Sequence, residues 1–470
     1  MAVVGRRLAF LAVLVAGVAL GTTSALAKPA FTTTSGTQTM DDGVGIAWTL
    51  YLPDGAPPAA GWPAAIVLHG LGGSKETVAP IAQAFASAGY AALAYDARGH
   101  GASGGNVEIA SAREVADLQA LLTWLAGLPE ISDTKIGAWG ISYGGGQIWN
   151  ALAAGVPFAA AEVAETWTDL YPAFWPQDLP KSGIISGFAN LIVARSPLVA
   201  SIRQDAITGS NLDQVRQLVA ERSSLPRLGS VHTPVLMLQG RKDFAFDITQ
   251  ATQAYTRLAG PKHLYIGDFG HAPSTFPAAD IAYVTELSRL WFDHFLKGEA
   301  NGIETKPPVE LAPETWNGKP VAFAGLPPTR TTTYALPGTT KVVGDGKTVR
   351  TTKALAQAAE TFGATTLTVN VRALTQYPRL VAVLSAIAPG GREILVSQGG
   401  LVPHTGSNTI RFGNYAVLMP KGSRLRVTIS SASTAQNPAN LVYLPFPGSG
   451  SITLGPAQLR LSTLTKPISR

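Results

Sequence analysis

The sequence predicts an α/β fold, a mostly parallel sheet covered by helices, followed by a domain of antiparallel β structure. Three observations predict it. From about Ala64 to Leu296 apolar strand-like runs alternate with helix-like segments. After about Asn301 the apolar positions switch to period two. Between one of the strands and the helix after it stands Gly140-Ile141-Ser142-Tyr143-Gly144, a sharp turn built of small residues.

The predicted strands are, in order, Ala64 to Leu68, Ala91 to Tyr95, Lys135 to Trp139, Phe158 to Val163, Val235 to Gln239 and His263 to Ile266. The clearest helix is Ser111 to Leu125, where Val115, Leu118, Leu122 and Leu125 share a face and Ser111 with Glu114 has the capping-box spacing. A later helix runs from about Ala279 to Leu296. Between Glu165 and Leu228 the alternation lapses into a helical stretch rich in aromatics, Trp167, Tyr171, Phe174 and Trp175, which reads as a cap inserted over the sheet edge. In the last third, Leu367, Val369 and Val371 alternate with Thr368, Asn370 and Arg372, and Leu425, Val427 and Ile429 with Arg426, Thr428 and Ser430. The expected divisions are a leader over 1–27, a sheet domain over 28–300 with its cap at about 165–230, and a β-sandwich or jelly-roll domain over 301–470.

Composition narrows the function. A chain of 470 residues, 46% hydrophobic and 14% charged, is globular and too long for one small binding module. Arg6 and Arg7, the apolar run Leu8 to Leu20 and Ala25-Leu26-Ala27 read as a signal peptide, with a mature start near Lys28. The apolar run is shorter than the roughly 20 residues of a bilayer span, so no stable membrane anchor is expected. The surroundings of Arg6-Arg7 match a twin-arginine signal poorly. With no cysteine, disulfides, thiolate metal sites and cysteine nucleophiles are excluded. Arg6 and Arg7 supply 2 of the formal charge of +6 and no acid lies in the first 27 residues, leaving a scattered +4 that points to no nucleic-acid partner.

The turn at 140–144 is a G-x-S-x-G elbow, in which a strained backbone lifts the serine hydroxyl above the sheet. Ser142 is the candidate nucleophile. A serine needs a base to take its proton, and that base needs an acid to orient it. In α/β-hydrolases the order is nucleophile, acid, histidine, the last two on loops after late strands. Asp243 follows the strand ending at Gln239, and His271 follows the strand ending at Ile266. The competing acids are weaker: Asp247 stands where a helix N-cap would, and Asp268 precedes the histidine too closely to face its ring. An oxyanion needs preorganised donors, and the N–H groups of Tyr143 and of Leu71, in the turn His69-Gly70-Leu71-Gly72-Gly73, form the natural pair. That turn lacks the G-K-[ST] of a phosphate loop. Asp96 and Arg98 read as loop ties.

The chain resembles the X-Pro dipeptidyl-peptidase and cocaine-esterase-like serine hydrolases. The carriers are Asp42-Gly43-Val44, Asp96-x-Arg98-Gly99-x-x-x-Ser103, Gly140-x-Ser142-Tyr143-x-Gly145, Gly270-His271, Trp291-Phe292-Asp293-His294-Phe295-Leu296-Lys297-Gly298 and the tail Gly422 to Ser431. The resemblance implies an α/β-hydrolase fold with a helical cap and a C-terminal β-sandwich or jelly roll, and an exported serine hydrolase acting through an acyl-enzyme on a small ester or short peptide. It implies no cofactor, and no histidine or carboxylate cluster has metal-site spacing. The family often uses a tyrosine hydroxyl in its oxyanion hole; Leu71 stands there instead, so only backbone can donate.

Cap residues Trp167, Tyr171 and Trp175 are the expected substrate-binding aromatics. Glu165, with Glu162 and Asp169, is the expected partner of a substrate's free α-amine, since an unpaired buried ammonium is costly. The alternatives are a plain carboxylesterase without peptidase activity, and a non-catalytic scaffold whose β domain binds carbohydrate or cell-wall material.

Overall fold

The computed structural model describes residues 30–271, 274, 276–434, 442–445 and 450–469. The expected leader lies outside the described residues. Strands β1 (Phe31–Thr39), β2 (Gly45–Pro53), β3 (Trp62–Leu68), β4 (Ala91–Tyr95), β5 (Ile131–Ile141), β6 (Ala161–Ala164), β7 (Val235–Gly240), β8 (Lys262–Gly267), β9 (Val309–Leu311) and β10 (Val321–Phe323) form one ten-stranded sheet. Its order is β1-β2-β4-β3-β5-β6-β7-β8-β9-β10, parallel from β4 through β9 and antiparallel at both ends. The central strands are buried on both faces, as all five residues of β4 are, which is why they read as continuous apolar runs.

Helices α1 (Ala79–Ser87), α2 (Ala112–Ala126) and α3 (Tyr143–Ala153) link the first parallel strands. The expected capping box opens α2: the Ser111 hydroxyl accepts from Glu114 N–H and the Glu114 carboxylate from Ser111 N–H. Between β6 and β7 the chain inserts α4 (Leu170–Phe174), α5 (Ser182–Ile192), α6 (Pro197–Thr208) and α7 (Leu212–Ala220). Then come α8 (Ile248–Arg257) and α9 (Ala278–Phe292), the latter running into a π turn at Asp293–Lys297 that ends on left-handed Gly298.

Two details differ from the sequence reading. The strand expected from Phe158 begins at Ala161, because its partner β7 opens only after Pro234, which has no N–H to give. The change of pattern after Asn301 does not coincide with the end of the sheet: β9 and β10 still join it, each too short to show a period.

In the C-terminal region, Thr329–Leu336, Thr340–Val343, Thr366–Thr375 and Gly406–Arg411 assemble around Ser451–Leu464 as one antiparallel sheet. Thr348–Ala354, Leu380–Ile387, Glu393–Leu401 and Arg424–Ser430 form a second. Leu367 and Val369 of the first meet Val427 and Ile429 of the second in a shared core.

Candidate active site

Ser142 stands between β5 and α3 with φ 54° and ψ −113°, a conformation few non-glycine residues adopt. Its N–H donates to Ala164 O at 2.8 Å and its carbonyl accepts from the Thr166 hydroxyl at 2.7 Å, which hold the turn from the β6 side. The flanking glycines are required by space. A Cβ on Gly140 would lie 2.7 Å from the Gly144 carbonyl carbon, and one on Gly144 would lie 2.5 Å from Leu68 O. The elbow is thus wedged between its own helix and the end of β3.

The loops after β7 and β8 bring Asp243 and His271 to this serine. His271 Nε2 is 2.9 Å from Ser142 Oγ, and its Nδ1 is 2.7 Å from Asp243 Oδ2. A carboxylate can only accept, so Nδ1 carries a proton and donates it to Asp243, and Nε2 faces the hydroxyl, whose proton it accepts when the ring is neutral. Asp243 is fully buried, and its other oxygen accepts from Ala245 N–H at 2.9 Å and Phe246 N–H at 3.1 Å. Ser142 and His271 remain partly exposed. Burial opposes the charged imidazole, but the Asp243 carboxylate, and behind it Glu165, outweigh burial and raise its pKa.

The competing acids are occupied elsewhere. Asp247 caps α8 through Thr249 N–H and takes Asn414 N–H on its other oxygen; Asp268 accepts from Thr315 N–H. Asp96 accepts from Lys75 N–H and Ala102 N–H, while Arg98 bridges Asp42 and Asp117, tying the loops above the sheet. The turn carrying Leu71 runs past the nucleophile: a Cβ on Gly70 would come within 3.7 Å of Ser142 Cβ. Tyr143 is the first residue of α3, so its N–H has no partner inside the helix.

The cap aromatics sit differently from the expectation. Trp167 and Trp175 are each 4% exposed; the Trp175 indole N–H donates to Ala206 O inside the cap, whereas Trp167 donates to Arg222 O and packs on Tyr143 and Gly146 of α3 and on Phe246. Tyr171 stacks on Trp175, bonds Asp178 and lies under the Arg216 guanidinium. The rings that reach His271 are Phe188 of α5, at 5.9 Å, and Phe246 of the acid loop, at 5.4 Å, both edge-on. Sequence reasoning missed both. Phe246 had one signal, standing three residues after the acid; Phe188 had none beyond lying in the cap. Buried Lys181 just before α5 donates to Phe244 O and Ala245 O and so joins cap to acid loop.

Of the three carboxylates considered for amine recognition, Glu162 and Glu165 are buried and Asp169 is half-buried. Glu162 accepts from Trp139 Nε1–H inside the sheet core. Asp169 accepts from the Ser223 hydroxyl. Glu165 is 3% exposed, with Oε2 3.8 Å from His271 Nδ1. Glu165, Asp243 and His271 are also the one group among the described residues with ligand atoms close enough, within 4.8 Å, to surround a cation.

The model of the X-Pro dipeptidyl-peptidase (S15) family matches residues 42–214. An uncharacterised 31.7 kDa protein of Escherichia coli is 34% identical over 23% of this chain and 38% of its own length. A Streptomyces avermitilis protein, provisionally named a Xaa-Pro dipeptidyl-peptidase, is 25% identical over 56% of this chain and 42% of its own. The chain therefore spans less than half the length of either relative. A CocE/NonD family hydrolase from Staphylococcus aureus superposes with TM-score 0.73 at 15% identity, over 92% of this chain and 94% of that one. An α-amino acid ester hydrolase does so with TM-score 0.66 at 14% identity, over 94% and 98%. Among the described residues no helix is long and apolar enough to cross a membrane. Residues 42–214 thus match the X-Pro dipeptidyl-peptidase (S15) family model, and over its whole length the chain has the fold of the CocE/NonD family hydrolase, an α/β-hydrolase fold followed by an antiparallel β region.

Proposed function

We propose that this protein is a serine hydrolase that passes an acyl group from an ester or amide to Ser142 and then to water. The observation that carries the reading is the unbroken hydrogen-bond chain from Ser142 Oγ through His271 to Asp243, set on a strained elbow. As Oγ bonds to the substrate carbonyl carbon, His271 Nε2 takes the hydroxyl proton, and Asp243 stabilises the imidazolium. The N–H groups of Tyr143 and Leu71 receive the negative oxygen. His271 then gives its proton to the leaving group as the C–O or C–N bond breaks. Water, deprotonated by the same imidazole, releases the acid and restores Ser142. The leader-like first 27 residues support export.

For the substrate we favour an ester with an apolar acyl group. Phe188 and Phe246 face the imidazole, whereas Glu162 and Glu165, two of the acid groups that would pair with a free α-amine, are enclosed, and the half-buried Asp169 is bonded to Ser223. The names of the S15 relatives support the rival, an X-Pro peptidase. The purified protein is assayed on p-nitrophenyl esters and on X-Pro p-nitroanilides with free and blocked amines. Turnover of the esters, with no gain from a free amine, is expected. A strong preference for the free-amine anilide transfers the assignment to the peptidase.

A further inference from the structure

Glu165 is the first residue after β6, on the strand between those that carry Ser142 and Asp243, and its N–H donates to Leu238 O of β7. Its φ of 47° is in the left-handed region, an unfavourable backbone for glutamate that fixes where the side chain goes. The carboxyl is enclosed. Oε2 lies 3.8 Å from His271 Nδ1, the nitrogen already bonded to Asp243 at 2.7 Å, and Oε1 is buried with no hydrogen-bond partner among the described residues. Among the described residues no hydrogen bond of this side chain accounts for keeping a carboxyl there at the cost of desolvating it.

We propose that Glu165 is a second acid for His271, a positioning residue able to hold the Nδ1–H of the imidazole in place of Asp243. The proposal rests on the Ser142–His271–Asp243 reading. Two sheet strands then deliver a carboxyl to one nitrogen, the β7 acid in contact and the β6 acid one short step behind. The charged groups acting on Glu165 are His271, on the loop after β8, and Asp243, on the loop after β7. Burial first, then the Asp243 charge, keeps its proton on, while His271 pulls the other way. Burial thus holds the Glu165 carboxyl above the ordinary carboxylate range, beside Asp243 and His271. Removing Asp243 frees space and takes away a negative neighbour, so Glu165 ionises more readily and can close on Nδ1.

The test compares full-length Asp243→Ala with Asp243→Ala/Glu165→Gln on p-nitrophenyl butyrate from about pH 6 to 9, with Glu165→Gln and wild type completing the cycle. The loss of kcat on removing Asp243 is expected to be at least about tenfold larger in the Glu165→Gln background, and that ratio is expected to grow with pH as Glu165 ionises. A merely structural glutamate gives a pH-independent ratio. Equal losses in both backgrounds overturn the inference, whereas Asp243→Ala at wild-type rate overturns the triad itself. Thermal melting checks folding, and the same cycle built on Asp243→Asn serves if the alanine protein is unfolded. Activity lost in EDTA and restored by one divalent ion also overturns it, because the three groups would then be ligands.

Discussion

Burial decides the protonation of Glu162, on β6. Glu162 is enclosed, and burial, opposed by Ser288 and the Trp139 N–H, pushes it up to about 7 from an ordinary value of 4.5. Between those two values the unfolded chain has released a proton that the fold retains. The contribution of Glu162 to stability is thus full below about 4.5, falls as pH rises through about 7 and is flat beyond. Glu162→Gln keeps the acceptor for Trp139 without the charge. It is expected to stabilise the protein by up to roughly 3 kcal/mol at pH 8 and little at pH 5, read by denaturant unfolding. An unchanged dependence of stability on pH would contradict this. At the same scale, Ser142, Asp243 and His271 were legible in the sequence because a strained turn and two strand ends each leave local signatures. Glu165 was legible as an acid near the cap but not as a neighbour of His271. Only the sheet order puts the end of β6 between those of β5 and β7.

Among the elements, the parallel strands β3 to β8 and α2 were read from sequence because burial on both faces and a capping box are local patterns. The pair β1–β2 was not: β1, Phe-Thr-Thr-Thr-Ser-Gly-Thr-Gln-Thr, is an edge strand without a fully buried residue. The cap is ambiguous in sequence for a physical reason. A cluster of large rings suits a binding wall and a small helical core equally well, and the indole N–H partners, Arg222 O and Ala206 O, are distant in sequence. The two roles separate by experiment. Trp175→Ala is expected to lower Tm, with a cost of about 3 to 5 kcal/mol, and leave acyl preference unchanged. Phe188→Ala is expected to shift the butyrate-to-acetate ratio of kcat/KM by several-fold, a methylene contact being worth about 1 to 3 kcal/mol. The reverse pattern would return Trp175 to the pocket.

Over the whole molecule, the β region grips the loop that carries the acid. Arg241, two residues before Asp243, is fully buried and pairs with the equally buried Glu360, and it also donates to Ala312 O and Ala416 O. Asn414 bonds Asp247 and Ile248, and Tyr415 packs on Phe244. None of this was legible, since the contacts join residues more than 70 apart. Leaving one member of a buried pair uncompensated costs about 3 to 5 kcal/mol. Glu360→Gln is expected to lower Tm and kcat together, with KM nearly unchanged, because the anchor of Asp243 loosens; a fall in Tm alone would make the β region a passive support. All of these expectations depend on an activated Ser142, and a fluorophosphonate probe tests that most directly. The account predicts covalent labelling of the wild-type protein, mapped by mass spectrometry to Ser142, and none in folded Ser142→Ala. Wild-type protein that stays unlabelled, or labelling that survives the alanine change, would contradict it.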